Sequence, residues 1–123
     1  MAKSGNILKS PWFYVGILMF IIIVYLLLPS NSGEYDTFAS CLTDKGIVMY
    51  GTDWCPHCKN QKEMFGDSFK KIKYVNCDIN KEECAINRIT GYPTWKIGNE
   101  YHSGVQPVET LASLSGCELF KDL

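Results

Sequence analysis

The longest apolar run of the chain lies near its N-terminus and shows no alternation with polar residues. Residues 12–28, between Pro11 and Pro29, contain no charged side chain. As a helix rising about 1.5 Å per residue, this run would cover roughly 26 Å, somewhat less than the hydrocarbon thickness of about 30 Å. A helix that is apolar on every side does not suit the surface of a small soluble domain. The pattern therefore predicts one transmembrane helix over residues 12–28.

After a polar linker over residues 29–34, the chain changes to short apolar segments separated by glycine and proline. Apolar residues at helical spacing predict helices, and short β-prone runs bounded by turn residues predict strands. The predicted helices cover residues 35–45, 56–66, 80–89 and 107–114, with a further turn containing Phe69 after the second. The predicted strands cover residues 47–50, 72–77, 94–97 and 100–103, the last two forming a hairpin. This order predicts a single α/β domain over residues 35–123.

The distribution of charge predicts the orientation of the apolar run. Lys3 and Lys9 precede it, whereas the first charges that follow are Glu34 and Asp36. By the positive-inside rule, residues 1–11 are expected in the cytoplasm and the domain on the other side, in the periplasm or at the cell exterior. The run would then be an uncleaved signal anchor of a single-pass membrane protein.

A cleaved signal peptide is the alternative interpretation of the same run. Small residues, Ser30 and Ser32, precede Gly33 in the manner of a cleavage site. The run is longer than the usual apolar part of a signal peptide, about 7 to 15 residues, and no Ala-x-Ala motif follows it. These features favour the anchor.

The charge of the domain argues against nucleic acid as a partner. All 13 acidic residues and ten of the 12 basic residues of the 123-residue chain follow residue 33, so the formal charge of this part is −3. It contains no basic run of the kind that binds phosphate backbones.

Six cysteines, all after the apolar run, carry the candidate chemistry. An even number in a domain predicted to be exported is typical of an oxidising compartment. Cys55 and Cys58 enclose Pro56 and His57 at the start of a predicted helix, where proline suits the first helical position. Cysteines at this spacing lie within disulfide reach and predict a reversible redox pair, with no bound cofactor required.

The two cysteines of the motif are expected to have different roles. Cys55 lies at the positive end of the helix dipole, which favours its thiolate, and His57 is expected to stabilise that thiolate further. Cys55 is therefore predicted to be the attacking thiolate and Cys58 the resolving thiol. Lys59 and Lys62, further along the helix, are expected on its solvated face.

The remaining cysteines leave alternatives open. Cys77 and Cys84 could form a structural disulfide, act as a second redox pair, or complete a zinc site with Cys55 and Cys58. Their spacing is wide for a zinc knuckle, which favours the disulfide. Two further cysteines, Cys41 and Cys117, flank the domain and could be bonded to each other or remain separate buried thiols, because spacing does not fix connectivity.

The order of elements and motifs resembles the thioredoxin fold across essentially all of residues 35–120. A narrower resemblance is carried by six segments: Cys41-Leu42-Thr43, Met49-Tyr50-Gly51, Trp54 to Cys58, Gln61-Lys62-Glu63, Gly91 to Trp95 and Leu114 to Cys117. In these segments the sequence resembles the thioredoxin-like domains fused to, or encoded beside, vitamin K epoxide reductase homologues, which are quinone-linked membrane proteins that generate disulfides.

The resemblance implies a cis proline at Pro93, facing the cysteine motif, and substrate pairing beside Tyr92. Trp54 is expected to shape the same groove, whereas Trp95 is expected in the core. Many thioredoxins have a buried acid six residues before the first motif cysteine, where this chain has Met49. This difference, with the Pro-His dipeptide of the motif, implies a protein that accepts electrons from substrates.

The sequence thus predicts a membrane-anchored thiol–disulfide oxidoreductase that oxidises dithiols of exported proteins through the Cys55–Cys58 pair. The resemblance implies reoxidation by a vitamin K epoxide reductase-like, quinone-linked membrane protein. Three alternatives remain: an extracytoplasmic reductase or isomerase, a redox-inert membrane-tethered module that binds substrates, and a zinc-bound structural domain.

Overall fold

The computed structural model describes residues 10–28 and 33–122, which fall into two separate units within residues 1–31 and 32–123. The first unit contains helix α1 (Pro11–Leu27), in the place of the predicted segment 12–28, with apolar and largely exposed side chains. No helix among the described residues is both long and apolar enough to cross a membrane. Most of the predicted N-terminal segment 1–11 and linker 29–34 lies outside the described residues.

The second unit contains the remaining helices and a four-stranded sheet. Its helices are α2 (Asp36–Asp44), α3 (Pro56–Phe65), α4 (Lys81–Ile86) and α5 (Val108–Ser115), and a 3₁₀ helix over Gly66–Lys71 follows α3. Its strands are β1 (Val48–Gly51), β2 (Lys73–Asn76), β3 (Thr94–Ile97) and β4 (Glu100–Ser103). The order of elements agrees with the predicted one.

The sheet is mixed and has the order β2-β1-β3-β4. Strand β1 pairs with β2 in parallel, Gly51 opposite Asn76, and with β3 in antiparallel fashion, Met49 opposite Trp95. A helix-containing crossover is what a parallel pair requires, and α3 with its 3₁₀ extension supplies it. Because β1 is an inner strand, its C-terminal end delivers the chain to α3 in the middle of the domain.

Alternating side chains of β1 contribute to clusters on two sides of the sheet, as the pleat of a strand requires. Met49 belongs to the main core, where it joins Phe38 of α2, Phe65 of α3, Trp95 of β3 and Leu111 of α5. A smaller cluster of apolar side chains consists of Val48, Tyr50, Val75, Cys77 and Cys84. The sheet is therefore flanked by helices, in the thioredoxin-like α/β arrangement that the sequence predicts.

The bounds of one helix differ clearly from the prediction. Helix α4 ends at Ile86, although the sequence predicts helix to residue 89. The side chain of Asn87 donates to the carbonyl of Glu83 (2.8 Å), and Arg88 has a left-handed backbone (φ 54°), which ends the helical path. The sequence predicts the end of this helix just before the helix-breaking residues Gly91 and Pro93, whereas the backbone leaves the helical path earlier.

Candidate active site

The Cys-Pro-His-Cys motif lies where β1 meets α3. Strand β1 ends at Gly51, three residues of loop follow, and Cys55 is the residue that precedes the first helical turn. Pro56 occupies the first helical position, as predicted, where its lack of an N–H costs no hydrogen bond. This geometry directs free backbone N–H groups of the first turn towards Cys55.

Cys55 is a free thiol whose acidity is set by its neighbours on α3. Burial opposes ionisation, but the backbone N–H of Cys58, the thiol of Cys58 and the backbone N–H of His57 outweigh it and lower the pKa of Cys55. The contribution of His57 thus comes from its backbone, while its imidazole is exposed. The role predicted for the imidazole stays a prediction.

Cys58 is a free thiol with the opposite electrostatic character. It is completely buried, and this burial raises its pKa to about 11, although the backbone N–H of Thr52 and the charge of Lys62 act against the shift. A Cβ atom on Gly51 would lie 2.7 Å from the Cys58 sulfur, so the end of β1 packs directly against the thiol. The pair therefore combines a thiol with a lowered pKa, Cys55, which is 7% exposed, with a completely buried neutral thiol in hydrogen-bond contact.

The residues predicted to bind substrate lie next to Cys55. The Tyr92–Pro93 peptide bond is cis, and the carbonyl oxygen of Tyr92 lies 3.8 Å from the Cys55 sulfur. The indole of Trp54 is 64% exposed, packs edge-to-face on Tyr92 with 6.4 Å between ring centroids, and donates from Nε1 to Asp78 (2.8 Å). These contacts hold an exposed aromatic surface beside the Cys55 sulfur.

The sequence interpretation missed a cluster of polar residues around Lys62. Lys62 is expected on a solvated face, but its side chain is only 27% exposed. Its ammonium lies 3.0 Å from Asp53 and 4.1 Å from the centre of the Tyr74 ring. Asp53 also accepts from Tyr74 (3.0 Å) and Asn76 (2.9 Å). We call Asp53, Lys62, Tyr74 and Asn76 the Asp53 cluster.

The charge of Asp53 is stabilised by its partners in that cluster. Hydrogen bonds from Lys62, from Tyr74 and from Asn76, together with the charge of Lys62, lower the pKa of Asp53. Burial and the neighbouring Asp53 carboxylate raise the pKa of Tyr74. Tyr74 therefore remains a neutral hydrogen-bond donor while Asp53 and Lys62 form an ion pair.

Gln61 is a second residue whose role the sequence did not reveal. It is completely buried on α3, accepts from Trp95 Nε1 (3.0 Å) and from the backbone N–H of Gln106 (2.7 Å), and donates to the Gln106 carbonyl (2.9 Å). A glutamine within a helix that has other polar residues gives no local sign of burial. Trp95 is in the core, as expected.

The other four cysteines form two disulfides, Cys41–Cys117 and Cys77–Cys84. Because Cys77 and Cys84 are bonded to each other, their thiolates do not join Cys55 and Cys58 around zinc. Within residues 10–28 and 33–122, no cluster of three or more His, Cys, Asp or Glu side chains has a metal-binding arrangement. The zinc alternative therefore has no support in the fold.

Comparisons with known proteins identify a family and several relatives. The family model described as Thioredoxin matches residues 28–115. The Thiol-disulfide oxidoreductase LTO1 of Arabidopsis thaliana is 39% identical over 100 residues, which cover 73% of this chain and 27% of that protein. The Protein disulfide isomerase-like 2-2 of Oryza sativa subsp. japonica is 33% identical over 90 residues, which cover 61% of this chain and 24% of that protein.

A second rice protein, Protein disulfide isomerase-like 5-1, is 28% identical over 122 residues, which cover 81% of this chain and 83% of that protein. The first two relatives are much longer than the matched region, and the chain spans about a quarter of their length.

Proposed function

This chain belongs to the thioredoxin family, with a domain of the thiol–disulfide oxidoreductase type, and we propose that it oxidises pairs of cysteine thiols in exported proteins. Domains of this type exchange electrons through their own cysteine pair, without an external cofactor. The pair that we propose for this chain is Cys55 and Cys58, which are both free thiols.

The observation that carries the proposal is the contrast between the two thiols. In the oxidised protein, a substrate thiolate attacks the Cys55 sulfur, the Cys55–Cys58 bond breaks, and Cys58 leaves with the electron pair and takes up a proton. The second substrate thiolate then attacks the substrate sulfur of the mixed disulfide, and Cys55 leaves as a thiolate. The lowered pKa of Cys55 makes it a good leaving group, which favours disulfide transfer to the substrate.

The surface beside Cys55 supports an extended polypeptide as the substrate. A strand-like segment that pairs with the backbone at Tyr92 would bring its cysteine close to the Cys55 sulfur, since the Tyr92 carbonyl lies 3.8 Å from that sulfur. Trp54 offers an exposed apolar surface for neighbouring side chains. Such main-chain pairing accepts many sequences, as an oxidase of several exported proteins requires.

We also propose that the protein is attached to a membrane through α1, with the domain outside the cytoplasm. The support is the uncharged sequence of α1, its exposed apolar side chains, and Lys3 and Lys9 before it. A helix of 17 residues covers about 26 Å, so the bilayer would have to thin slightly, at a modest cost. Carbonate extraction and protease protection of the tagged full chain would test both the attachment and the orientation.

The resemblance supports a vitamin K epoxide reductase-like protein as the partner that reoxidises the Cys55–Cys58 pair and passes two electrons to a quinone. Confinement of both proteins to one membrane would raise their effective concentration. Mild crosslinking in native membranes followed by copurification tests this partner, and repeated absence of such a protein from the crosslinked material would contradict it.

The test of the oxidase function is the reduction potential of the Cys55–Cys58 pair, measured on the full chain in detergent by equilibration with glutathione buffers and thiol alkylation. A value near −120 mV, the DsbA-like end of the range, supports disulfide donation. A value near −270 mV, typical of thioredoxin, would instead identify a reductase. Cys55→Ala separates a redox-inert binding module, which would keep its function, from either enzyme, which would lose it.

A further inference from the structure

The buried position of Cys58 creates an electrostatic problem for every exchange cycle. Its sulfur must become a thiolate when substrate opens the Cys55–Cys58 disulfide, and again when it attacks a mixed disulfide in the reverse direction. Yet the residue is completely buried, and burial strongly disfavours its charged form. An opposite charge nearby would offset this cost.

Lys62 is placed to supply that charge. It follows Cys58 by four residues on α3, and side chains at this spacing lie on the same helix face. Its ammonium does not extend freely into solvent, because Asp53 (3.0 Å) and the Tyr74 ring (4.1 Å) hold it. Its stem also brings the ammonium 5.5 Å from the centre of the Phe69 ring. The position of the charge is therefore defined by contacts from three other elements.

Gly51 lies next to both the Cys58 thiol and Tyr74 of the Asp53 cluster. A Cβ on Gly51 would lie 2.7 Å from the Cys58 sulfur and 3.4 Å from Cε2 of Tyr74, so the sulfur and the ring border the same small space. Besides burial, two ionisable groups shift the pKa of Cys58: Cys55 at the start of α3 raises it, and Lys62 further along α3 lowers it. The charge of Cys58 in turn raises the pKa of Tyr74 on β2. Asp53, in the loop before α3, acts through Lys62.

We propose that Lys62, positioned by Asp53 and Tyr74, is the counter-charge that allows the buried sulfur of Cys58 to become a thiolate during exchange. This inference rests on the proposed role of Cys58 as the resolving cysteine. Lys62 is a positioning residue, since it acts on the reaction through the electrostatic environment of Cys58. Asp53 moderates the effect, because its carboxylate cancels part of the Lys62 charge while holding the ammonium in place.

A purely structural role for the ion pair makes a different prediction. If Asp53 and Lys62 only fastened α3 to the preceding loop, removal of either charge would disturb Cys58 in the same direction. If the charge matters, removal of the cation hinders formation of the thiolate, and removal of the carboxylate favours it. The sign of the two effects therefore separates the alternatives.

The experiment follows Cys58 kinetically in the full chain in detergent, with 5,5′-dithiobis(2-nitrobenzoate) as the probe. Reduced Cys55 attacks the probe and releases one thionitrobenzoate, and attack by Cys58 on the mixed disulfide releases a second in an intramolecular phase. The four other cysteines are in disulfides and do not react. Stopped-flow absorbance between pH 7 and 8.5 separates the two phases.

Lys62→Gln, which keeps a hydrogen-bond donor but no charge, is expected to slow the second phase about threefold. A rise of one unit in the pKa of Cys58 would reduce the fraction of its thiolate tenfold. A thiolate of higher pKa is also more nucleophilic, which offsets part of this loss in rate. Lys62→Arg, which keeps the charge, retains the rate of the second phase, and Asp53→Asn, which removes the opposing carboxylate, raises it. The control Lys59→Gln, on an exposed residue of the same helix, leaves the rate unchanged.

An unchanged second phase in Lys62→Gln, or equal slowing in Lys62→Gln and Asp53→Asn, would overturn the proposal. Urea unfolding of each variant verifies that the folded protein is being compared. Cys58→Ser tests the underlying role separately: it should release a single thionitrobenzoate, and release of two would contradict Cys58 as the resolving residue whatever Lys62 does.

Discussion

Gly51 lies directly against the buried sulfur of Cys58, and a Cβ at residue 51 would approach that sulfur to 2.7 Å. The last residue of β1 is thus fitted to a thiol on α3, seven positions later in the chain. The adjacent Thr52 contributes a backbone N–H towards the same sulfur. The end of β1 and the residue after it therefore determine both the space and part of the polarity around the Cys58 thiol.

Replacement of Gly51 by alanine should displace Cys58 or the strand end, because an atom at 2.7 Å from sulfur cannot be accommodated without movement. Overpacking of this kind typically lowers the free energy of unfolding by about 1 to 3 kcal/mol. Urea unfolding of the reduced protein measures the loss. Gly91→Ala is the control, since a Cβ there meets nothing within 4 Å, and equal losses for the two variants would refute the steric explanation.

Iodoacetamide should continue to alkylate Cys55 of the reduced protein at pH values at which an ordinary cysteine thiol reacts only slowly. The pKa of Cys55 is lowered, so its thiolate persists as pH falls below the ordinary cysteine value of about 8.5. Cys58, with a pKa of about 11, stays neutral in this range and should be modified slowly. Mass spectrometry of the modified peptides across pH 4–9 tests the assignment; preferential labelling of Cys58 would contradict it.

Truncation of Gln61 to alanine should destabilise the domain by about 2 to 4 kcal/mol. The change removes the partners of the Trp95 indole N–H and of the Gln106 backbone, and buried groups left unpaired cost about 1 to 3 kcal/mol each. Chemical denaturation measures the effect. Asn60→Ala, on the exposed face of the same helix, is the matched control and should change stability by less than about 0.5 kcal/mol.

Removal of the Cys41–Cys117 disulfide, as the double alanine variant, should lower the free energy of unfolding by about 2 to 5 kcal/mol. The bond joins residues separated by 76 positions, whereas Cys77 and Cys84 are separated by seven. Since a crosslink that closes a longer loop restricts the unfolded chain more, the loss should exceed that of the Cys77/Cys84 double variant. Urea titrations of both double variants measure the two losses in free energy of unfolding. A larger loss in the Cys77/Cys84 variant would show that chain entropy does not dominate the effect of these disulfides.

Trp54→Ala should impair exchange with a cysteine-containing peptide more than exchange with dithiothreitol. The exposed indole offers contact area to a polypeptide, and loss of such an aromatic contact typically costs about 1 to 2 kcal/mol, or roughly five- to thirtyfold in kcat/KM. Parallel kinetics with both reductants provide the comparison. The control Trp12→Ala removes an exposed indole from α1 and should affect neither reaction. Equal losses of kcat/KM with both reductants in Trp54→Ala would contradict a role in peptide binding and would show that Trp54 acts on the reactivity of Cys55.

The features that the sequence predicted well are those that neighbours along the chain control. The order of helices and strands followed from local apolar spacing and turn residues, and the start of α3 at Pro56 followed from the preference of proline for the first helical position. The placement of Cys55 at the positive end of that helix is part of the same local pattern. The end of α4 was predicted less well, because Asn87 and Arg88 end the helix before the helix-breaking residues Gly91 and Pro93 are reached.

The sequence by itself thus determined the order of helices and strands along the chain, and it predicted the redox pair and the candidate residues around it. Only the tertiary structure decided how the cysteines pair, that Gly51 makes room for the Cys58 sulfur, and that Lys62 is held by Asp53 and Tyr74 instead of lying on a solvated face. The physical reason is that periodicity reports which face of an element is apolar, whereas these contacts join groups from separate elements. Their distances depend on how β1, β2 and α3 pack together, and no local pattern records that packing.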